Sequence, residues 1–263
     1  NLVLAVLALP FIGPVATLIA RFVTENARTD ASLEVQSALD ASALSRPTRG
    51  LDCVARELLG VGQRIEQMLR AVEPLFDKWD APSAKAIAEE DKVIKRMHLD
   101  VKLYLVRLSK VGLDEDLSQR SMDLASISTN LDVASDAISR IMVDLAKNLN
   151  AEGLQFSNKG RQEVSDFADR VLGNVQLALN VLMNQNPAEA RELLSAKEKV
   201  RSVEQKLQRN HLGRLQQGLS QSIETSQIHQ ETLRALKQVN TSFAAIGVPI
   251  LAKSGDLLKS RLS

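Results

Sequence analysis

The chain has 263 residues, 33 basic and 32 acidic side chains, a net charge of +1 and one cysteine, Cys53. That length suffices for one large core or two small ones; the near-neutral balance gives no footing for nucleic acid, and a single cysteine excludes an intrachain disulfide or thiolate metal site. Aromatic residues are 3% against 44% hydrophobic, so the core has to be aliphatic, which speaks against a base-stacking platform.

The chain starts at Asn1 rather than Met, as expected of a fragment or a processed product. Residues 2–22 read LVLAVLALPFIGPVATLIARF, with no charge before Arg21. About 20 such residues cross a bilayer, and Pro10, Gly13 and Pro14 would break a soluble helix but are tolerated in a membrane. A secretory signal peptide is the competing reading, and it wants a basic start that this stretch lacks. Residues 1–23 are therefore expected to be a membrane helix or its end, with Arg21 and Arg28 favouring a cytoplasmic exit. Residues 24–50 carry scattered Leu33, Leu39 and Leu44 and close on Pro47 and Gly50, which predicts a linker with a few residues docked onto the next domain.

From Leu51 the three- and four-residue apolar spacing of helices continues almost unbroken. The first stripe is Leu51, Val54, Leu58, Gly62, Ile65, Leu69, Val72 and Phe76, ended by Pro74 and the turn near Pro82. A second helix, from about Ser83 to Lys110, carries Ile87, Asp91, Ile94, His98, Val101, Leu105 and Leu108. A third, Leu117 to Leu149, carries Leu124, Ile127, Leu131, Ala134, Ile138, Ile141 and Leu145, and Asn148–Asn150, Gly153 and Gly160 read as a loop. The second half repeats the plan. Val164, Phe167, Val171, Val175, Ala178 and Leu182 mark a fourth helix; Asn186-Pro187 starts a fifth, running to about Gly218; a sixth spans Ser220 to Ile246. Asp91-Lys92-Val93-Ile94 matches Glu198-Lys199-Val200-Arg201, so the expected architecture is all-α: antiparallel three-helix units over 51–150 and 151–250, then a tail over 251–263.

Asp132 and Asp136 lie four apart in the third helix, one position round from its apolar stripe. Like charges at that spacing repel, and at the edge of a core the cost rises. Either both carboxylates are solvated or a cation sits between them. His98 lies one heptad from Asp91, ~10 Å along the helix, too far to share a metal with it and better read as a core histidine satisfied by a neighbour. Glu224 and His229, and likewise His211, read as helix surface. No G-x-x-x-x-G-K-[ST] loop and no His-Glu-x-x-His is present, and no histidine has a glutamate three residues before it, as a carboxylate-bridged di-iron bundle requires. These absences speak against an enzyme.

Two three-helix units with acidic residues at matched places resemble the PhoU family. Asp132-Val133-Ala134-Ser135-Asp136 is similar to that family's E/D-x-x-x-D signature, with Ser135 where the family favours Gly. Asp91 and Glu198 fall where the family has acids on the preceding helix of each repeat. The second-half counterpart of the signature falls at Lys237–Thr241, where neither end is acidic. The chain resembles still more the PhoU-like tail of bacterial sodium/phosphate cotransporter-family proteins. Asn1 through Pro10-Phe11, Ala196–Arg201, Ser222-Ile223-Glu224-Thr225-Ser226-Gln227-Ile228-His229, then Leu233–Lys237 and Asn240 carry that likeness, over most of residues 1–250. It implies a PhoU-like bundle after the end of a transmembrane helix, cytoplasmic from about residue 24, in the inner (plasma) membrane. It also implies an upstream transmembrane domain that handles inorganic phosphate and sodium, a homo-oligomer, and a divalent or ferric metal ion held by Asp91, Asp132, Asp136 and Glu198. The alternative is a membrane-tethered PhoU-type signalling adaptor without transport activity.

Overall fold

The apolar stripes become helices because each buries one face against its neighbours. A computed structural model describes residues 37–255; the expected membrane helix, the first part of the linker and the end of the tail lie outside the described residues. The helices are α1 (Pro47–Val72), α2 (Ala81–Ser109), α3 (Glu115–Asp136), α4 (Val143–Ala151), α5 (Asn158–Asn184), α6 (Pro187–Gln216), α7 (Ser220–Glu224), α8 (Ser226–Ala244) and α9 (Gly247–Lys253). Among the described residues there is no strand, and no helix is long and apolar enough to cross a membrane.

Local chemistry sets the starts. Asp80, Asp114, Ser157 and Asn186 each accept a backbone N–H from the first turn of α2, α3, α5 and α6, satisfying a donor the helix leaves unpaired. Pro47, Pro82 and Pro187 stand in first turns, where a missing N–H costs nothing. Pro47 and Gly50 therefore begin α1 rather than close the linker. Gly50 lets Leu108 pack close, since a Cβ there would sit 2.9 Å from Leu108 Cδ1. The last part of the linker is docked. Ala38 N–H and Ser37 Oγ donate to the buried Glu57 at 2.6 and 3.2 Å, and Tyr104 Oη donates to the Asp40 carbonyl at 2.7 Å.

In the first half α1, α2 and α3 pack on one another; in the second, α5, α6 and α8 do the same. The halves meet through α1 against α5 and α3 against α8, leaving α2 and α6 outermost. One hydrophobic cluster runs through both halves. At its centre Leu58, Ile65, Leu131, Ile138, Phe167 and Phe243 are 1% exposed or less, each side chain contributing about 1.5–3 kcal/mol by leaving water.

Three details depart from the sequence pattern. Residues Ala137–Met142 form a π-turn that joins α3 to α4. The wider turn shifts the register, so Ile141, expected in the core, is 46% exposed while Met142 is buried. Asn150, expected in a loop, lies in the last turn of α4 with its side chain on the α1–α2 connection: Oδ1 accepts from Trp79 N–H and Nδ2 donates to the Leu75 carbonyl, both at 2.8 Å. The single helix expected over 220–246 breaks at Thr225, whose Oγ1 donates to the Gln221 carbonyl.

Candidate functional site

Asp91 sits on α2 between the buried Ile87 and Ile94, which hold its side chain against α3. Its Oδ1 accepts from Ser135 Oγ at 2.6 Å and its Oδ2 pairs with Lys95, one turn along the same helix. Lys95 Nζ also donates to Asp136 Oδ1 at 2.7 Å, and Arg140 Nε reaches the same oxygen at 3.1 Å. Burial pushes the Asp91 carboxyl up, but the Lys95 and Ser135 hydrogen bonds outweigh it and hold the group below the usual carboxylate range. Burial likewise pulls Lys95 down, and the Asp136 and Asp91 carboxylates outweigh it, raising the ammonium above its ordinary value.

Asp132 stays outside this pair, its Oδ1 buried with no hydrogen-bond partner. His98 is half-buried, with Nδ1 2.7 Å from Ser128 Oγ. Burial first, then the Lys102 charge, lowers its pKa against the opposing pull of Asp132. Glu198 lies in the other half on α6, exposed and 3.8 Å from Arg201. The four expected metal ligands thus resolve into Asp91 and Asp136 joined by a lysine, a separate Asp132 and a remote Glu198. Among the described residues no three of His, Cys, Asp and Glu converge as a metal-binding group. The residues do not fit a metal ion, because an ammonium already stands between the two carboxylates.

Glu198 is misplaced by one residue of register. Burial matches Ala84, Ile87, Ile94, Val101 and Leu108 of α2 to Ala190, Leu193, Val200, Leu207 and Arg214 of α6. That register sets Asp91 against Lys197 and His98 against Glu204. The sequence match is one residue later, and one residue turns a helix by about 100°, enough to carry Glu198 from the core edge to solvent. Between α3 and α8, Leu131, Ala134 and Ile138 match Leu236, Val239 and Phe243, so Lys237 and Thr241 stand for Asp132 and Asp136. Glu204, 2% exposed, accepts from Lys237 Nζ at 2.8 Å and from Gln208 Nε2 at 3.0 Å. A cavity of about 420 Å³ opens here, lined by Lys197, Glu198, Arg201, Glu204, Lys237 and Thr241 among others.

A second polar cluster lies elsewhere in the same half. His211 of α6 and His229 of α8, expected on the surface, are each 1% exposed, with ring centroids 4.9 Å apart and planes 13° from parallel. Glu163 of α5 takes both Arg214 Nη atoms, at 2.9 and 2.7 Å, and Asn210 Nδ2 at 3.2 Å. His229 Nε2 lies 3.5 Å from its Oε2. Burial raises the Glu163 pKa, but His229 and Arg214 outweigh it and bring the group down to about 2. His211 accepts or donates at Nε2 with Ser226 Oγ, 2.8 Å away. Burial, then the His229 and Arg214 charges, lowers its pKa. The missed signal was periodic: Ser222, Thr225, His229, Thr232, Leu236, Val239 and Phe243 follow one three-four stripe, all buried, whereas Glu224 falls off it and is exposed.

This arrangement of two three-helix units, facing through their first and third long helices, is a PhoU-like all-α fold. It superimposes on the crystal structure of PhoU from Pseudomonas aeruginosa with a TM-score of 0.70, covering 76% of this chain and 95% of that one at 19% identity. The phosphate transport system regulatory protein PhoU from Streptococcus pneumoniae gives a TM-score of 0.68 over 78% of this chain and 95% of that one, at 15% identity. These likenesses concern the fold alone.

In sequence the chain is 30% identical, over 256 residues and 97% of its length, to the "Putative inorganic phosphate export protein YjbB" of Escherichia coli (strain K12). It is 31% identical over 251 residues, 95% of its length, to the protein of that name in Salmonella typhimurium (strain LT2). The chain spans about half the length of these curated relatives, 47% and 46% of each. No family profile matches the chain.

Proposed function

We propose that this chain is the PhoU-like regulatory part of a longer inner-membrane protein that moves inorganic phosphate in a sodium-dependent manner. Transport resides in the part that the chain does not span, and residues from about 24 onward face the cytoplasm. The observation that carries this reading is the similarity along 97% of the chain to a relative named for inorganic phosphate export, of which it spans 47%. The fold supports it, since a PhoU-like bundle among the solved structures is named for phosphate transport regulation. The work of such a domain is binding and gating, through shifts in the packing of helices against a partner, and not catalysis. Its polar clusters lie between helices, at α2–α3, α6–α8 and α5–α6–α8, where a small displacement changes buried hydrogen bonds.

The test is labelled-phosphate flux across membranes holding the complete native protein, with and without sodium and with and without residues 37–255. The expected result is sodium-dependent flux whose rate changes when the domain is removed. Absence of flux from both forms, each shown to be folded in the membrane, refutes the reading and favours the tethered signalling adaptor. Sodium-dependent flux that is identical in both forms refutes the regulatory role.

A further inference from the structure

We infer that this domain supplies its own cations at the two places where its core-edge carboxylates would otherwise call for a bound divalent ion: Lys95 in the first half and Lys237 in the second. The first place is built from Asp91 on α2 and Asp136 at the end of α3, with the Ser135 hydroxyl beside them. These are hard oxygen donors, the set that magnesium, manganese or calcium would take. Lys95 Nζ sits within hydrogen-bond reach of both carboxylates, and Arg140 Nε shares the Asp136 oxygen that Lys95 holds. A divalent ion bound to the same oxygens would lie only a few ångströms from that ammonium. At such separations like charges repel strongly wherever water is thinned, so the two cations exclude each other.

The second half gives the same answer by different residues. The burial register places Lys197 opposite Asp91 and Thr241 opposite Asp136, so both carboxylates of the first place are gone, and it sets Lys237 opposite Asp132. The acid that remains, Glu204, is buried and neutralised by Lys237. Each lysine also does the mechanical work of a metal. Lys95 ties α2 to α3, and Lys237 ties α8 to α6, so each three-helix unit is cross-linked at its polar edge from within the chain. Packing of the bundle, and any signal passed through it, is then independent of divalent metal.

The test is thermal unfolding of the full chain with added Mn²⁺ or EDTA, together with elemental analysis after purification without chelator. The wild-type chain is expected to carry no stoichiometric metal and to melt at the same temperature in both conditions, because a ligand stabilises a fold only if the native state binds it. Lys95→Met keeps an unbranched side chain, one atom shorter, and removes the ammonium. This variant is expected to melt lower and to regain several degrees with Mn²⁺, and adding Asp91→Asn to it should abolish that gain. If Lys95→Met does not fold, Lys95→Gln takes its place. Stoichiometric metal on the wild type, or Mn²⁺ stabilisation of the wild type that Asp91→Asn removes, overturns the inference. So does a folded Lys95 variant that Mn²⁺ leaves unchanged.

Discussion

Acid should loosen the second half through Glu163. The carboxyl is drawn from 4.5 to about 2 in the folded chain. Because the folded value is the lower one, the unfolded chain binds the proton first as pH falls. The stabilisation is therefore complete above about pH 4.5 and lost as pH descends towards 2. A shift of that size corresponds to about 3 kcal/mol at neutral pH, and about 2 kcal/mol of it is gone by pH 3. Little discount for solvent applies, since the Glu163 and Arg214 side chains are 14% and 7% exposed. Glu163→Gln keeps the shape and removes the charge. It leaves Arg214 buried without a counter-ion, which should cost about 3–5 kcal/mol at pH 7. Urea unfolding of both proteins at pH 7 and pH 3 isolates the effect, because the other carboxylates titrate alike in each. The wild type should lose about 2 kcal/mol more than the variant over that interval. Equal losses would refute the assignment of the acid sensitivity to this ion pair.

His211 should protonate at a lower pH than a free histidine, with pKa ~6.5, because burial and the neighbouring His229 and Arg214 lower its pKa. The unfolded chain then takes up the extra proton, so this site costs stability as pH falls below about 6.5; an NMR titration of the folded chain in which His211 protonates at or above that value would contradict it. Asn150→Ala should cost about 1–3 kcal/mol in urea unfolding, since Trp79 N–H and the Leu75 carbonyl each lose a 2.8 Å partner. Gly62→Ala should destabilise by about 1–3 kcal/mol, read as a fall in the urea midpoint. The added Cβ would lie 2.4 Å from Leu179 Cδ2 at the close approach of α1 to α5. An unchanged midpoint would mean that Leu179 swings aside freely.

Periodicity alone placed the long helices and most of their buried faces. The stripe from Leu51 to Phe76 and that from Val164 to Leu182 are buried throughout, because an apolar residue every third or fourth position leaves a helix one way to leave water. Proline and capping residues located the starts of α2 and α6 to within a few residues, for reasons local to the first turn. Turn geometry and register were not legible. The π-turn at Ala137–Met142 moved Ile141 out of the core and Met142 in, and hydrophobicity does not distinguish those neighbours. The internal repeat is visible in sequence but slips by one residue, which points to the exposed Glu198 in place of the buried acid, Glu204.

For the polar residues, tertiary structure decided nearly everything. Sequence spacing brought Asp132 and Asp136 together on one helix, yet the partner of Asp136 is Asp91, through Lys95, from a different helix. The need for a cation near the acids followed from elementary electrostatics; which cation answers it depended on where α2 lies against α3. The same holds for His211, His229, Glu163 and Arg214, which come from three helices and meet only when the second half is packed. A helix face is a property of a short stretch of chain and can be read from it. A charge cluster is a property of distances between stretches, and those arise from packing.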